Sequence, residues 1–264
     1  DNVSQVHEYL RRHKEVTDIL ITGGDAGYMP TSRLSAYLRP LMEDPELMHI
    51  RNIRIASRAL TYEPDVVLNN KYDGTLQLFG DLIDNGIQVL WMGHFSTPKE
   101  FLNIHTIAAI RRLRKHRINI RSQSPMMNHI SLFMDENGKV DIDRSAQNWI
   151  DLAHILMMLG VSFHSIYCAR PTGEHGYFTA PLADMDRIFS KIYHSLPSEG
   201  RPSRYITMTS SAGKISLLGK VKMENGKDAF ALKFNEARNM KWMDQAFLAV
   251  YDEEENTIEK LIPY

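Results

Sequence analysis

Lys214 closes the run Ser210-Ser211-Ala212-Gly213-Lys214, directly after the strand-like stretch Tyr205 to Thr209. Small neighbours let a backbone approach a ligand closely. A lysine whose pKa is lowered by burial can condense with a carbonyl to a Schiff base. The ordinary rival is a solvated loop lysine. A phosphate-binding loop of the usual kind is excluded, because Met208 occupies the place of its first glycine and Ile215 follows the lysine where Ser or Thr is needed. A second chemical group is Gly23-Gly24-Asp25, immediately after the apolar run Ile19 to Ile21. The glycines free the backbone and expose bare peptide groups, and Asp25 offers an acceptor to an amine or hydroxyl. Polar residues recur where later apolar runs stop: Ser57-Arg58, His94-Phe95-Ser96, Gln123-Ser124 and Tyr167-Cys168-Ala169-Arg170. Each has a structural explanation by itself; Ser57 can cap the next segment and His94 can be a satisfied structural histidine. Their repetition is the stronger sign, since C-terminal strand ends in α/β folds converge on one cavity.

These positions require strands and helices in alternation. The pattern predicts a helix over Val3 to Lys14 and a strand over Asp18 to Ile21 covered on both faces. It then predicts a helix from Thr31 through Leu41, a strand from Ile50 to Ser57 and a helix from Leu76 to Ile83 stopped by Gly86. A strand follows over Ile87 to Phe95, and Pro98 opens a helix running to Leu113. Ile118 to Gln123 and Val161 to Tyr167 read as strands; the helix around Trp149 and the helix Pro181 to Ile192 intervene and follow. Such alternation implies right-handed βαβ units and a parallel sheet or barrel. The last sixty residues or so change character. Asn225-Gly226 sits between two strand-like runs as a hairpin turn, and Phe247 to Tyr251 and Thr257 to Ile262 flank an acidic turn in the same manner. A β-rich cap over 202–264, packed on an α/β body over 1–201, is the expected division.

Bulk composition narrows the field. The 264 residues carry a net charge of −1, with 43% hydrophobic and 24% charged residues. That balance is globular and gives no global argument for nucleic acid or an anionic membrane. The basic run Arg111 to His116 reads as a solvated helix C-terminus. No apolar run reaches membrane-spanning length. Cys168 is the one cysteine, which excludes a disulfide framework and a cysteine-rich metal site. Cytoplasmic location is the default expectation, and a first residue other than Met suggests a fragment. The glycine-flanked Glu174-His175 pair reads as a loop, with metal ligation as a lesser option.

Taken in order, the motifs resemble the lysine 2,3-aminomutase family of radical S-adenosylmethionine enzymes. The carriers are Gly23-Gly24-Asp25, Arg54-Ile55-Ala56-Ser57-Arg58, His94-Phe95-Ser96-Thr97-Pro98-Lys99-Glu100, Ser122-Gln123-Ser124 and Ala212-Gly213-Lys214, over roughly residues 16 to 216. The resemblance implies a partial (β/α) barrel lacking its first strand, followed by the cap. It implies S-adenosylmethionine held by Gly23, Gly24, Asp25, Ser57, His94 and Gln123. It implies pyridoxal 5'-phosphate bound covalently to Lys214, with Tyr167 beside that cofactor. The reaction implied is an isomerase's transfer of an amino group between adjacent carbons of an amino acid, in which the cofactors supply the chemistry and the protein orients them and excludes water. Partners are then a small amino acid, no nucleic acid and no membrane, with a homo-oligomer left open.

Two departures sharpen the expectation. The family's [4Fe-4S] cluster needs three closely spaced cysteines, and Cys168 alone cannot supply them. The expectation is a missing N-terminal segment that carries the cluster ligands, leaving this chain inactive by itself. The two aspartates that grip the distal amine in lysine-specific members correspond to Arg170 and Thr207 here. A cation at that place suits a carboxylate, so an acidic amino acid such as glutamate is the expected substrate class. The alternatives are a family member that does hydrogen abstraction without pyridoxal phosphate, and a cluster-less module that binds S-adenosylmethionine or another small ligand.

Overall fold

The computed structural model describes residues 2–171 and 173–264, with the side chains of Glu174 and His175 outside the described set, and with them the metal-ligation reading of that pair. The chain groups into two compact units. The first runs through Phe95 and adds Lys99–Ser122 and Leu159–Ser162; the second comprises Ser96–Pro98, Gln123–Met158 and Phe163–Tyr264. The architecture is mixed α/β.

In the first unit, β1 (Asp18–Ile21), β2 (Asn52–Ser57), β3 (Gln88–Gly93) and the first residues of β4 (Asn119–Met126) pair in parallel and in sequence order. Ile21 lies opposite Ile55, and Ser57 opposite Gly93, so successive strands end side by side. Strand β2 alternates strictly, with Ile53, Ile55 and Ser57 buried on one face. Expectation fails at β1, which is not covered on both faces: Leu20 is 40% exposed. The helices Thr31–Leu38, Asp73–Asp84 and Ile104–Lys115 present Leu34, Leu38, Phe79, Leu82, Ile110 and Leu113 to the core.

Local chemistry moves several boundaries. The helix from Thr31 breaks before Pro40, whose ring supplies no amide hydrogen, and a separate turn runs Pro40–Glu43. Pro98 opens a 3-10 turn rather than the α-helix; the helix starts at Ile104, with the Asn103 side chain accepting from the His105 amide at 3.0 Å. Gly86, at φ +81°, stops the preceding helix as expected. The basic run does end a helix, and Arg112 and Arg114 there donate to the carbonyls of Val67 and Leu159.

The second unit contains the helices Ile142–Met158 and Leu182–Ser195, which pack together through faces carrying Trp149, Leu156, Ile188 and Ile192. Its strands are β5 (Ser162–Cys168), β6 (Ile206–Thr209), β7 (Gly213–Lys222), β8 (Asp228–Ala237) and β9 (Ala246–Val250). β5 and β6 are parallel, and β6 through β9 form an antiparallel meander. Asn225-Gly226 makes the predicted hairpin, as a three-residue connection with Gly226 at φ +78° and the Asn225 side chain accepting from the Lys227 amide. The Thr257 to Ile262 segment is not the strand expected; it forms a 3-10 turn at Ile258–Lys260 capped by Thr257.

Candidate functional site

In the first unit the parallel register brings five predicted positions to neighbouring strand ends. Gly23 and Gly24 follow β1 in left-handed backbone, at φ +100° and +65°, and a Cβ on either would meet only open space. The bare peptide groups expected there are therefore accessible. Asp25 accepts at both carboxylate oxygens, from the Gly27 amide at 2.8 Å and the Arg58 amide at 2.7 Å. It thus fixes the turn after β1 to the end of β2. Ser57 is buried and its hydroxyl accepts from the Ala59 amide at 3.0 Å, bracing the turn into the short helix Ala59–Tyr62, whose N-cap position is Arg58. His94 follows the end of β3 and is half-buried. Burial first, and then the Arg58 charge, push its pKa down to about 4, so it stands as a neutral imidazole at pH 7. Arg58 itself lies over the Tyr62 ring at 4.2 Å.

Sequence reasoning missed Gly27. A Cβ there would sit 2.2 Å from Ser57 Oγ and 2.9 Å from Trp91 Cη2. Only glycine lets the turn after β1 lie on that buried pair; a single glycine beyond the Gly-Gly-Asp run gave no hint of the contact.

In the second unit, strand pairing aligns another set. Tyr167 on β5 is opposite Thr207 on β6, and Thr207 is opposite Ser216 on β7. One step along, Thr209 is opposite Lys214. Side chains two apart on a strand share a face, so Tyr167, Thr207, Thr209, Lys214 and Ser216 lie on one side of the sheet, while Ile206, Met208, Ile215 and Leu217 fill the other. Lys214 is therefore the second residue of a strand, not a loop lysine. Its position is set by Gly213, which ends a tight turn bonded back to Ser210 and takes φ +146°. A Cβ on Gly213 would meet the Glu236 carbonyl at 2.0 Å.

A β-bulge decides what faces the lysine. Ile215 opposes Phe234, yet Lys214 opposes Glu236, leaving Asn235 as the extra residue. The bulge turns Glu236 toward the amine, and Lys214 Nζ lies 3.1 Å from Glu236 Oε1. Asn235 donates to Ser216 Oγ at 2.6 Å. Neither acid nor amide was visible as a site residue, because a bulge shifts register without changing composition.

The remaining predicted positions are more dispersed. Gln123 falls on β4 in the second unit, half-buried. Arg170 is exposed beyond β5, with Nη2 3.9 Å from Glu259 Oε1. That same Glu259 oxygen accepts from the Ser211 amide at 2.6 Å, so an intrachain carboxylate already stands beside the cation proposed for substrate. Cys168 is buried, and burial with the Asp186 charge pushes its thiol far up. Among the described residues no three His, Cys, Asp or Glu side chains gather to hold a metal ion. An iron–sulfur cluster therefore does not fit these residues.

No family model matches the chain. Relatives do. The chain is 27% identical over 220 residues to a protein of Aquifex aeolicus (strain VF5) named "Putative L-lysine 2,3-aminomutase", covering 83% of this chain and 54% of that protein. It is 21% identical over 238 residues to the glutamate 2,3-aminomutase of Clostridioides difficile (strain 630), covering 90% of this chain and 51% of that enzyme. The chain is homologous to proteins named as lysine and glutamate 2,3-aminomutases. It spans about half the length of the aminomutases it matches. Among solved structures, a radical SAM methyltransferase from Sphaerobacter thermophilus aligns with 78% of this chain and 55% of that one, at 14% identity and a TM-score of 0.47. No described helix is long and apolar enough to cross a membrane.

Proposed function

We propose that the chain is the C-terminal portion of an amino acid 2,3-aminomutase of the radical S-adenosylmethionine type, acting on an acidic amino acid such as glutamate. The observation that carries this reading is the sheet face of the second unit that Lys214, Tyr167 and Thr207 share, with Lys214 opposite Thr209, two residues along β6 from Thr207. Lys214 is about one-third exposed on the side chain, so an aldehyde can reach its amine. Tyr167, two strands away on the same face, would bound the cofactor ring, and Thr207 would offer a hydroxyl to substrate. In the first unit, open glycine backbone at Gly23 and Gly24, the Ser57 corner and the neutral His94 ring suit S-adenosylmethionine, whose amine and sulfonium carry positive charge. Asp25 acts there mainly by holding the turn, since both its oxygens accept from backbone. Pyridoxal phosphate on Lys214 would supply an electron-accepting ring for the migrating nitrogen. No step is assigned to an iron–sulfur cluster, which these residues cannot ligate.

The choice of an acidic substrate rests on Arg170, a cation where lysine-specific enzymes place an acid. Glu259 Oε1 lies 3.9 Å from the Arg170 guanidinium, so a substrate carboxylate would have to replace or join it there. The division into a barrel portion over 1–201 and a cap over 202–264 belongs to the same proposal.

The test is incubation of the chain with pyridoxal phosphate, borohydride reduction and peptide mass mapping. A pyridoxyl adduct on Lys214 that is lost in Lys214→Ala, with a matching loss of absorbance, supports the reading. Random labelling over surface lysines, unchanged in Lys214→Ala, refutes pyridoxal use and leaves a module for S-adenosylmethionine alone.

A further inference from the structure

Two hydroxyls on the polar sheet face of the second unit have protons left to give. Strand pairing sets Tyr167, Thr207, Ser216 and Lys233 in one row across β5, β6, β7 and β8. Thr207 is 8% exposed and Ser216 3%. Polar groups buried to that degree are normally hydrogen-bonded. The Thr207 hydroxyl has no partner among the described residues, yet it keeps some contact with solvent. Ser216 Oγ accepts from Asn235 Nδ2 at 2.6 Å. Its oxygen is thus engaged, while its proton finds no acceptor among the described residues. The bulge that carries Asn235 out of register is what brings this amide to Ser216. Directly opposed side chains start about 5 Å apart at Cβ, so the Thr207 and Ser216 hydroxyls can meet on one acceptor group. Two cations flank them: Lys233 is opposite Ser216, and Lys214 lies two residues before it on β7. Their counter-ions are exposed, Glu236 at 3.1 Å from Lys214 and Asp244 at 3.2 Å from Lys233. Exposed pairs of this kind are weak and can open to an incoming anion.

We propose that Thr207 and Ser216, the latter oriented by Asn235, form an oxyanion subsite beside Lys214. Because the Ser216 oxygen is taken, its hydroxyl can only donate, which selects an acceptor rather than an ammonium. The inference rests on the reading of Lys214 as the pyridoxal lysine and deepens it. The oxyanion then comes from one of two sources, the carboxylate of the substrate or the phosphate of the cofactor, and both call for the same donors.

The experiment titrates the chain with glutarate and, separately, with inorganic phosphate, following protein amide resonances. Saturable binding of at least one, at about millimolar concentration or tighter, is expected, with the largest shifts on β6 and β7. Thr207→Val and Ser216→Ala should each weaken it roughly tenfold, the usual consequence of losing a hydrogen bond to a charged group. Lys222→Met, at the far end of β7, should leave it unchanged, which excludes mere attraction to surface lysines. Without ligand, Thr207→Val should match or exceed the parent's thermal stability, because it removes an unpaired hydroxyl from a buried residue. Borohydride trapping at Lys214 with pyridoxal and with its 5'-phosphate separates the two sources. If the cofactor's phosphate sits here, its advantage over pyridoxal falls in Thr207→Val; if the substrate's carboxylate does, that advantage is unchanged and glutarate binds more tightly than phosphate. Anion binding without any trapping at Lys214 would sink the pyridoxal reading and leave the subsite standing. Trapping at Lys214 without binding of either anion, full affinity in both Thr207→Val and Ser216→Ala, or a clear loss of stability in Thr207→Val would overturn the subsite.

Discussion

Replacing Gly213 by alanine tests the reasoning about Lys214 most directly. Two costs arise. Alanine at φ +146° is strained by about 1–2 kcal/mol wherever it occurs. In addition its Cβ would lie 2.0 Å from the Glu236 carbonyl oxygen and 2.8 Å from Ala237 Cα. Both are backbone atoms of a paired strand and cannot rotate away, so overpacking adds about 1–3 kcal/mol. The sum is about 2–5 kcal/mol. Gly219→Ala is the control, because its φ is +128° but the nearest atom to a Cβ is an Asp186 carboxylate oxygen at 3.8 Å. It should show the strain alone, about 1–2 kcal/mol. Urea unfolding followed by circular dichroism should place Gly213→Ala below Gly219→Ala in midpoint, by about 1 M at the usual slopes. Relief of the clash requires β7 and β8 to part at the Gly213–Ala237 pair, which carries Lys214 away from Glu236. Borohydride trapping of pyridoxal phosphate at Lys214 should then change in Gly213→Ala and stay near the parent's in Gly219→Ala. Equal midpoints for the two variants would refute the close approach on which the placement of Lys214 depends.

Two further outcomes follow from the first unit. Asp25→Asn keeps the shape but leaves one acceptor oxygen for the two amides of Gly27 and Arg58; the amide nitrogen then faces an N–H, costing about 1–3 kcal/mol of stability, measurable by thermal unfolding. His94 titrates near 4 when folded and near 6.5 when unfolded, so the unfolded chain binds the extra proton between those values. Stability from this group is complete above pH 6.5 and falls as pH drops from 6.5 toward 4, by up to about 3 kcal/mol. His94→Gln should flatten that limb of the pH–stability curve, and an unaltered slope would show that the ring is not held neutral by burial.

Legibility in the sequence varied with the kind of force involved. The ends of β1, β2 and β3 were readable because apolar runs stop abruptly at Gly23, Ser57 and His94, and parallel strands in sequence order bring consecutive ends together. The Gly86 helix stop and the Asn225-Gly226 turn were readable because their backbone angles favour those residues locally. The break at Pro40 and the start at Ile104 were misplaced, since Thr31–Leu41 and Pro98–Leu113 keep a helical apolar period across a local change of hydrogen bonding.

By itself, then, the sequence determined the strand–helix alternation, the polar character of each strand end, and the shortage of thiols that denies these residues an iron–sulfur cluster. Those are properties of local order and composition. The fold alone decided that Asn235 bulges out so that Glu236 meets Lys214, that Glu259 reaches Arg170 across 89 positions of chain, and that Gly27 must be bare to lie on Ser57 and Trp91. It also decided that the Tyr72 hydroxyl is buried without a partner. Each of these depends on register or on contact between residues distant along the chain, and neither quantity is encoded in the spacing of residue types.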